Sequence, residues 1–180
     1  MSDHSISNSP GTVEIRPYAE GDMWVLEKTL GDPTQMVHLN GPESFEKLQK
    51  RHKVFLAMSA DKHAGCMYTI TTGLENAPVG NVGYWEAEQD GQKGWETGWF
   101  VLPEFQSKGI ATAAVRKLAA QVTKLDRRYL FAYPSVNNAP SNAICRKLGF
   151  VLTKEVDSEY PPGSGRHLHV NVWRLDLKPS

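Results

Sequence analysis

Two short blocks in this chain combine residue types and spacings that can do chemistry. The first continues from Glu96, Thr97, Gly98 and Trp99 through Phe100, Val101, Leu102 and Pro103 to Gln106-Ser107-Lys108-Gly109-Ile110-Ala111-Thr112. It reads as a strand, a tight glycine turn and a helix start. Pro103 has no amide to offer a central ladder, so the strand stops there. Gly109 tolerates a left-handed backbone or the close approach of a ligand. The first amides of a helix lack helical acceptors, and with the helix dipole they favour a phosphate. Lys108 adds one positive charge. A plain strand-to-helix loop with glycine serving the turn would use the same residues, and a short glycine motif alone is not specific.

The second block is Asn138-Ala139-Pro140-Ser141-Asn142-Ala143-Ile144-Cys145-Arg146-Lys147-Leu148-Gly149-Phe150. Asn138 is a good N-cap, Pro140 suits a first turn, and Ser141 can hydrogen-bond locally. Gly149 suits the C-terminal end. A well-capped short helix with Ile144 and Leu148 on the core explains most of it. The separation of the blocks leaves room for one strand between them. Together they point to a site for a pyrophosphate-bearing cofactor.

These blocks need elements to position them. Residues 12–17 alternate as a first strand, 23–30 have a helical pattern, and 31–42 form a breaker-rich loop. Ser44 caps a second helix over 45–53, with Phe45, Leu48 and His52 on one face. Residues 54–60, 64–72 and 78–88 read as strands. The turn at 89–92 makes a hairpin with the strand 93–102. On that strand Trp95, Thr97, Trp99 and Val101 share one face, and Glu96, Gly98, Phe100 and Leu102 the other. A helix over 108–125 carries Val115, Leu118, Val122 and Leu125 at helical spacing. A short strand, 128–133, precedes the second block. Two last strands, 150–156 and 167–177, flank a turn-rich loop, 157–165. Many hairpin-like strands followed by two strand–helix crossings predict an α+β or α/β domain, a mixed sheet with helices on both faces.

The chain has 180 residues, enough for one domain with a full core. Residues 1–11 read as a disordered N-terminal tail and 12–178 as a single domain. The net charge is zero, with signs interleaved, which argues against a nucleic-acid backbone or an anionic membrane as the main partner. No apolar run is long enough to span a bilayer, and the first residues lack a signal-peptide core. Cys66 and Cys145 have no metal or redox spacing and fit reduced thiols in a cytoplasmic protein.

Taken together, the blocks resemble the GNAT superfamily of acetyl-CoA-dependent N-acetyltransferases. Gln106 to Ala111 resembles its pyrophosphate loop, and Asn138 and Ser141 through Lys147-Leu148-Gly149-Phe150 its second block. The stretch 96–113 is most similar to the subgroup that includes ribosomal-protein N-terminal acetyltransferases. Residues 79–150 carry the resemblance; the first 75 match only in element order. It implies a mostly antiparallel sheet splayed at a bulge in the cofactor strand, with acetyl-CoA between that strand and 128–133. Backbone groups of Phe100, Val101 and Leu102 would pair with the pantetheine arm, and an amide near Phe100 would polarise the thioester carbonyl. Amides of Gln106, Ser107, Lys108, Gly109, Ile110 and Ala111, with Thr112 beside them, would hold the pyrophosphate, and Asn138 would contact the pantetheine.

Acetyl transfer to nitrogen needs a neutral amine, whereas an alkyl amine has a pKa of about 10.4. Glu96, where the family often places a carboxylate, is the first candidate base. Glu86 and Glu88 fit solvated positions better. His38 lies in the loop expected beside the acceptor. His167 and His169 face the same way but have no third ligand, so no metal is expected. Cys145 stands where many members carry the tyrosine that protonates the leaving thiolate. Ser141 is the alternative donor, with Tyr133 and Ser135 in reach. The resemblance thus implies transfer from acetyl-CoA to a primary amine, on a small molecule or a protein N-terminus, by direct attack. A non-catalytic CoA-binding sensor is the alternative. The acceptor pocket is expected at 31–43 and 157–165, and a homodimer through the last strands is compatible with the family.

Overall fold

The computed structural model describes residues 12–39, 41–73, 75–159 and 165–178. The tail at 1–11 and most of the tip of the 157–165 loop lie outside the described residues. Seven strands form one sheet in the order β1-β2-β3-β4-β5-β7-β6. They are β1 (Glu14–Pro17), β2 (Gly65–Thr72), β3 (Ala77–Gln89), β4 (Gln92–Val101), β5 (Tyr129–Ala132), β6 (Val151–Glu159) and β7 (His167–Asp176). The β4–β5 pair is parallel, and every other neighbouring pair is antiparallel. The mixed, mostly antiparallel sheet is therefore as predicted.

Among the described residues four α-helices cover the two faces. On one lie α1 (Met23–Thr29) and α2 (Phe45–Ala60), and on the other α3 (Ile110–Val122) and α4 (Ala139–Lys147). The α3 face owes its core to alternation along the strands. Tyr84, Trp95 and Val101 point toward Val115, Leu118 and Val122, which recur at helical spacing and are buried. The opposite core is smaller: Leu26, Leu30, Met36, Leu48 and Phe55 pack on Met67. Asp22 ties this layer to the sheet. Its buried carboxylate accepts from both Arg16 guanidinium nitrogens at 2.7 Å and from the Thr69 hydroxyl at 2.7 Å.

Three expectations are corrected. Residues 54–60 continue α2 rather than forming a strand, because Leu48 and Phe55, seven apart, seat one helical face on the sheet. Phe45, expected on that face, is 60% exposed. The β3–β4 register also has no bulge, running without a shift from Gly80↔Val101 to Gln89↔Gln92. The sheet splays because β4 outruns β5.

Candidate active site

Three pairs join β4 to β5: Gly94↔Tyr129, Trp95↔Leu130 and Glu96↔Phe131. Beyond Glu96, β4 remains paired with β3 alone, so its other edge opens onto a gap. The Leu102 amide donates to the Val79 carbonyl at 2.9 Å. Counting back in steps of two, the backbone groups of Phe100 and Gly98 also face β3, and those of Trp99 and Val101 face the gap. Of the three residues expected along the pantetheine arm, only Val101 turns its backbone toward the gap. Phe100 and Leu102 spend their backbone groups inside the sheet, and the edge facing the gap is made by Trp99 and the Val101 amide, the Val101 carbonyl being held by Gln106.

At the end of β4, Pro103–Phe105 forms one 3-10 turn. The Gln106 amide donates to the Pro103 carbonyl at 3.1 Å, so it is not a free anion donor. Its side chain instead clasps the turn, donating to the Val101 carbonyl at 2.9 Å and to Gln35 Oε1 at 2.7 Å. Ser107 (φ 59°) and Gly109 (φ 75°) are both left-handed. Alternation of this kind turns successive amides into one concavity, a shape that accepts anions. No side chain caps α3, leaving the first-turn amides of Ile110, Ala111 and Thr112 without helical acceptors. A Cβ on Gly109 would meet nothing within 4 Å, so glycine is required here by its φ rather than by crowding. Lys108 lies back over the turn, its Nζ donating to the Glu104 carbonyl at 2.8 Å.

Glu96 is partly buried on the α1–α2 face at the mouth of the gap. Burial pushes its carboxyl up to about 7, opposed by the Trp85 indole, which favours the charged form. Tyr133, just beyond β5, donates to Gln89 Oε1 at 3.3 Å. Burial, then the Glu96 charge, then Asp90 push its phenol well above the usual range, so it stays protonated.

On the opposite face, the Asn138 carboxamide oxygen caps α4 by accepting from the Ser141 amide at 3.1 Å. Ser141 is partly buried in the first turn. Cys145 points into the core, fully buried, and burial raises its thiol to about 12. It cannot replace a proton-donating tyrosine facing the gap. Asn142 is the residue whose importance the sequence concealed. Its amide donates to the carbonyls of Ser135 (2.9 Å) and Asn138 (2.8 Å). Its oxygen accepts from Asn171 and the Trp173 indole, both at 2.8 Å. It thereby fixes the loop from β5 to α4 against β7.

The remaining candidates do not join this site. Glu86 and Glu88 are exposed, the first paired with Arg127. His169 is exposed and bridged by Asp157 (2.9 Å) and Glu155 (3.0 Å), and His167 is exposed. Among the described residues no group of three or more His, Cys, Asp or Glu could hold a metal. His38 is partly buried in the 31–43 loop. That loop does meet the start of β7: Met36, Leu39, Glu43, Lys47 and Arg166 line one small pocket.

The fold has counterparts. A family model described as an acetyltransferase (GNAT) domain matches residues 12–151. No curated protein matches the chain in sequence. Among solved structures, spermidine N-acetyltransferase from Vibrio cholerae with CoA and spermine superimposes at TM-score 0.73, with 18% identity over 92% of this chain and 95% of that one. RimL, a ribosomal L7/L12 alpha-N-protein acetyltransferase in complex with coenzyme A, gives 0.73, with 21% identity over 92% and 94%. An acetyltransferase from Salmonella typhimurium that modifies the N-terminal serine of L7/L12 gives 0.73, with 21% over 93% and 96%. At these identities the likeness carries the fold, whereas the family model covers more than half the chain: the protein belongs to the GNAT acetyltransferase family.

Proposed function

We propose that residues 12–178 form one catalytic domain that moves an acetyl group from acetyl-CoA to a primary amine by direct attack. The observation that carries this reading is the unpaired edge of β4 leading straight into the left-handed turn at Ser107 and Gly109. The pyrophosphate would sit on the amides of Ser107, Lys108, Gly109, Ile110, Ala111 and Thr112. Gln106 would shape the turn instead of binding. The pantetheine arm would pair with Val101 and Trp99, and the Trp99 amide, rather than that of Phe100, would polarise the thioester carbonyl. Asn138 would border the arm with the amide end of its capped side chain.

Bound acetyl-CoA supplies the activated acyl group; the chain supplies positions and protons. Glu96 lies on the α1–α2 face of the sheet, and Ser141 in the first turn of α4, which covers the other face. This suits a reaction in which the amine arrives from one side and the thiolate leaves on the other. A carboxyl near 7 is matched to taking a proton at neutral pH. A thiolate with a conjugate pKa of about 8.5 leaves readily, so the Ser141 hydroxyl need only steady it. The amine would enter through the pocket between 31–43 and Arg166. Small amines and peptide N-termini both remain in the proposal, and L7/L12 and spermine belong to the neighbours. The buried free thiols fit a cytoplasmic setting, and the exposed Val151 and Leu152 on edge strand β6 support a homodimer there.

The test is CoA release from acetyl-CoA with a panel of primary amines and short peptides. Amine-dependent release supports transfer. Binding of acetyl-CoA without release for any acceptor would favour a non-catalytic sensor, a reading that the buried Cys145 in place of a tyrosine keeps in play. Failure to bind acetyl-CoA would end both.

A further inference from the structure

Glu96 lies between two glycines on the same face of β4, and an aromatic ring occupies the space above each. Phe131, in register with Glu96 across the β4–β5 pair, covers Gly94; a Cβ there would meet the ring at 2.5 Å. Trp85, directly opposite Glu96 on β3, covers Gly98; a Cβ there would meet the outer ring carbon at 3.0 Å. As its direct cross-strand partner, Trp85 lies within side-chain reach of Glu96; its indole favours the charged carboxylate, and its ring borders the core under α1 and α2. We propose that Trp85 is a positioning residue for Glu96: the indole, laid across Gly98, holds the carboxyl at the mouth of the gap and keeps water from it. This rests on the reading of Glu96 as the base.

The two contributions of Trp85 oppose each other. Its ring helps exclude water, which favours the neutral acid, while its N–H stabilises the carboxylate. Replacements that separate them should therefore move Glu96 in opposite directions. The other ionisable groups on this face are Tyr133, coupled to the Glu96 charge, and Arg174 on β7, in register with Phe131 and stacked on Tyr129. Toward the helices lie the Arg16–Asp22 pair and Tyr18, which is hydrogen-bonded to His52. Trp85 substitutions leave all of these in place.

The experiment follows the Glu96 carboxyl by carbon NMR titration, assigned by its loss in Glu96→Gln, alongside the pH profile of kcat/KM. Trp85→Phe keeps a ring and loses the donor, and should raise the proton affinity roughly tenfold; Trp85→Ala admits water and should lower it by a similar factor. KM for acetyl-CoA should not change in either. In the unmodified protein the Trp85 indole proton should titrate with the same midpoint as the carboxyl, a readout that needs no variant to fold. Shifts in the same direction, no shift, or an indole proton blind to the titration would overturn the role of Trp85. If the carboxyl moves as expected and the kcat/KM profile does not follow, Trp85 positions Glu96 but Glu96 is not the base.

Discussion

Replacing Glu96 with glutamine should make the protein more stable at alkaline pH while slowing the reaction. The cause is the linkage of proton binding to folding. Folding raises this carboxyl from its ordinary 4.5 to about 7 because burial disfavours the charge. The folded state thus holds a proton that the unfolded state releases between those values, and stability falls as pH rises through that window. At about 1.36 kcal/mol per pH unit, the full effect is about 3 kcal/mol above pH 7. Water reaches part of the side chain, which reduces this to about 2 kcal/mol. Glutamine has the same shape, can still accept from the Trp85 indole, and has no charge to bury. For a chain of this size, 2 kcal/mol corresponds to roughly 4–8 °C in Tm. Thermal or urea melts of both proteins from pH 4.5 to 8.5 provide the assay. The curves should converge near pH 4.5 and part progressively toward pH 8. A difference independent of pH, or a variant less stable at pH 8, would refute the placement of Glu96 in a desolvated site.

Gly109→Ala should cost about 1 kcal/mol in melts, because φ 75° is strained for a residue with a Cβ although the space is open. It should weaken acetyl-CoA binding in titration calorimetry, and unchanged affinity would count against the turn as the pyrophosphate site. Asn142→Leu should destabilise by roughly 3 kcal/mol in urea, since it strands the buried donors of Trp173 and Asn171; a loss under 1 kcal/mol would contradict that network. Cys145 should resist alkylation in the folded protein at pH 8, with turnover unaffected by thiol reagents, because burial holds the thiol near 12. Rapid labelling with loss of activity would place it at the gap after all.

Most of the sheet was legible because its signals are local. Alternation at 93–102, the glycine turn at Gln89–Gln92 and the period of Val115, Leu118 and Val122 each survive folding unchanged. The 54–60 run was misread because a short apolar stretch fits either period, and what decides between them is Leu48 seated seven residues earlier. Which of Phe100 and Trp99 faces the gap is a matter of register. That is set by the long-range pairing of β4 with β3, to which the Leu102–Val79 hydrogen bond belongs, with no trace in β4 itself. Asn142 stood in plain view beside Ser141, but its partners come from β7, 29 and 31 residues away. Alternation along the strand also groups Glu96 with Gly98, Phe100 and Leu102 on one face. The rings that enclose it are announced only by Gly94 and Gly98, two residues to either side.

We propose that acetyl passes to an amine in the gap beside β4, with Glu96 accepting the proton. The most direct measurement is steady-state CoA release at pH 7.5 from wild type and Glu96→Gln, with acetyl-CoA affinity measured in parallel. The account predicts amine-dependent release that falls by roughly 10²–10⁴ in the variant while acetyl-CoA affinity is unchanged. Equal rates in the two proteins, with both binding acetyl-CoA, would contradict it.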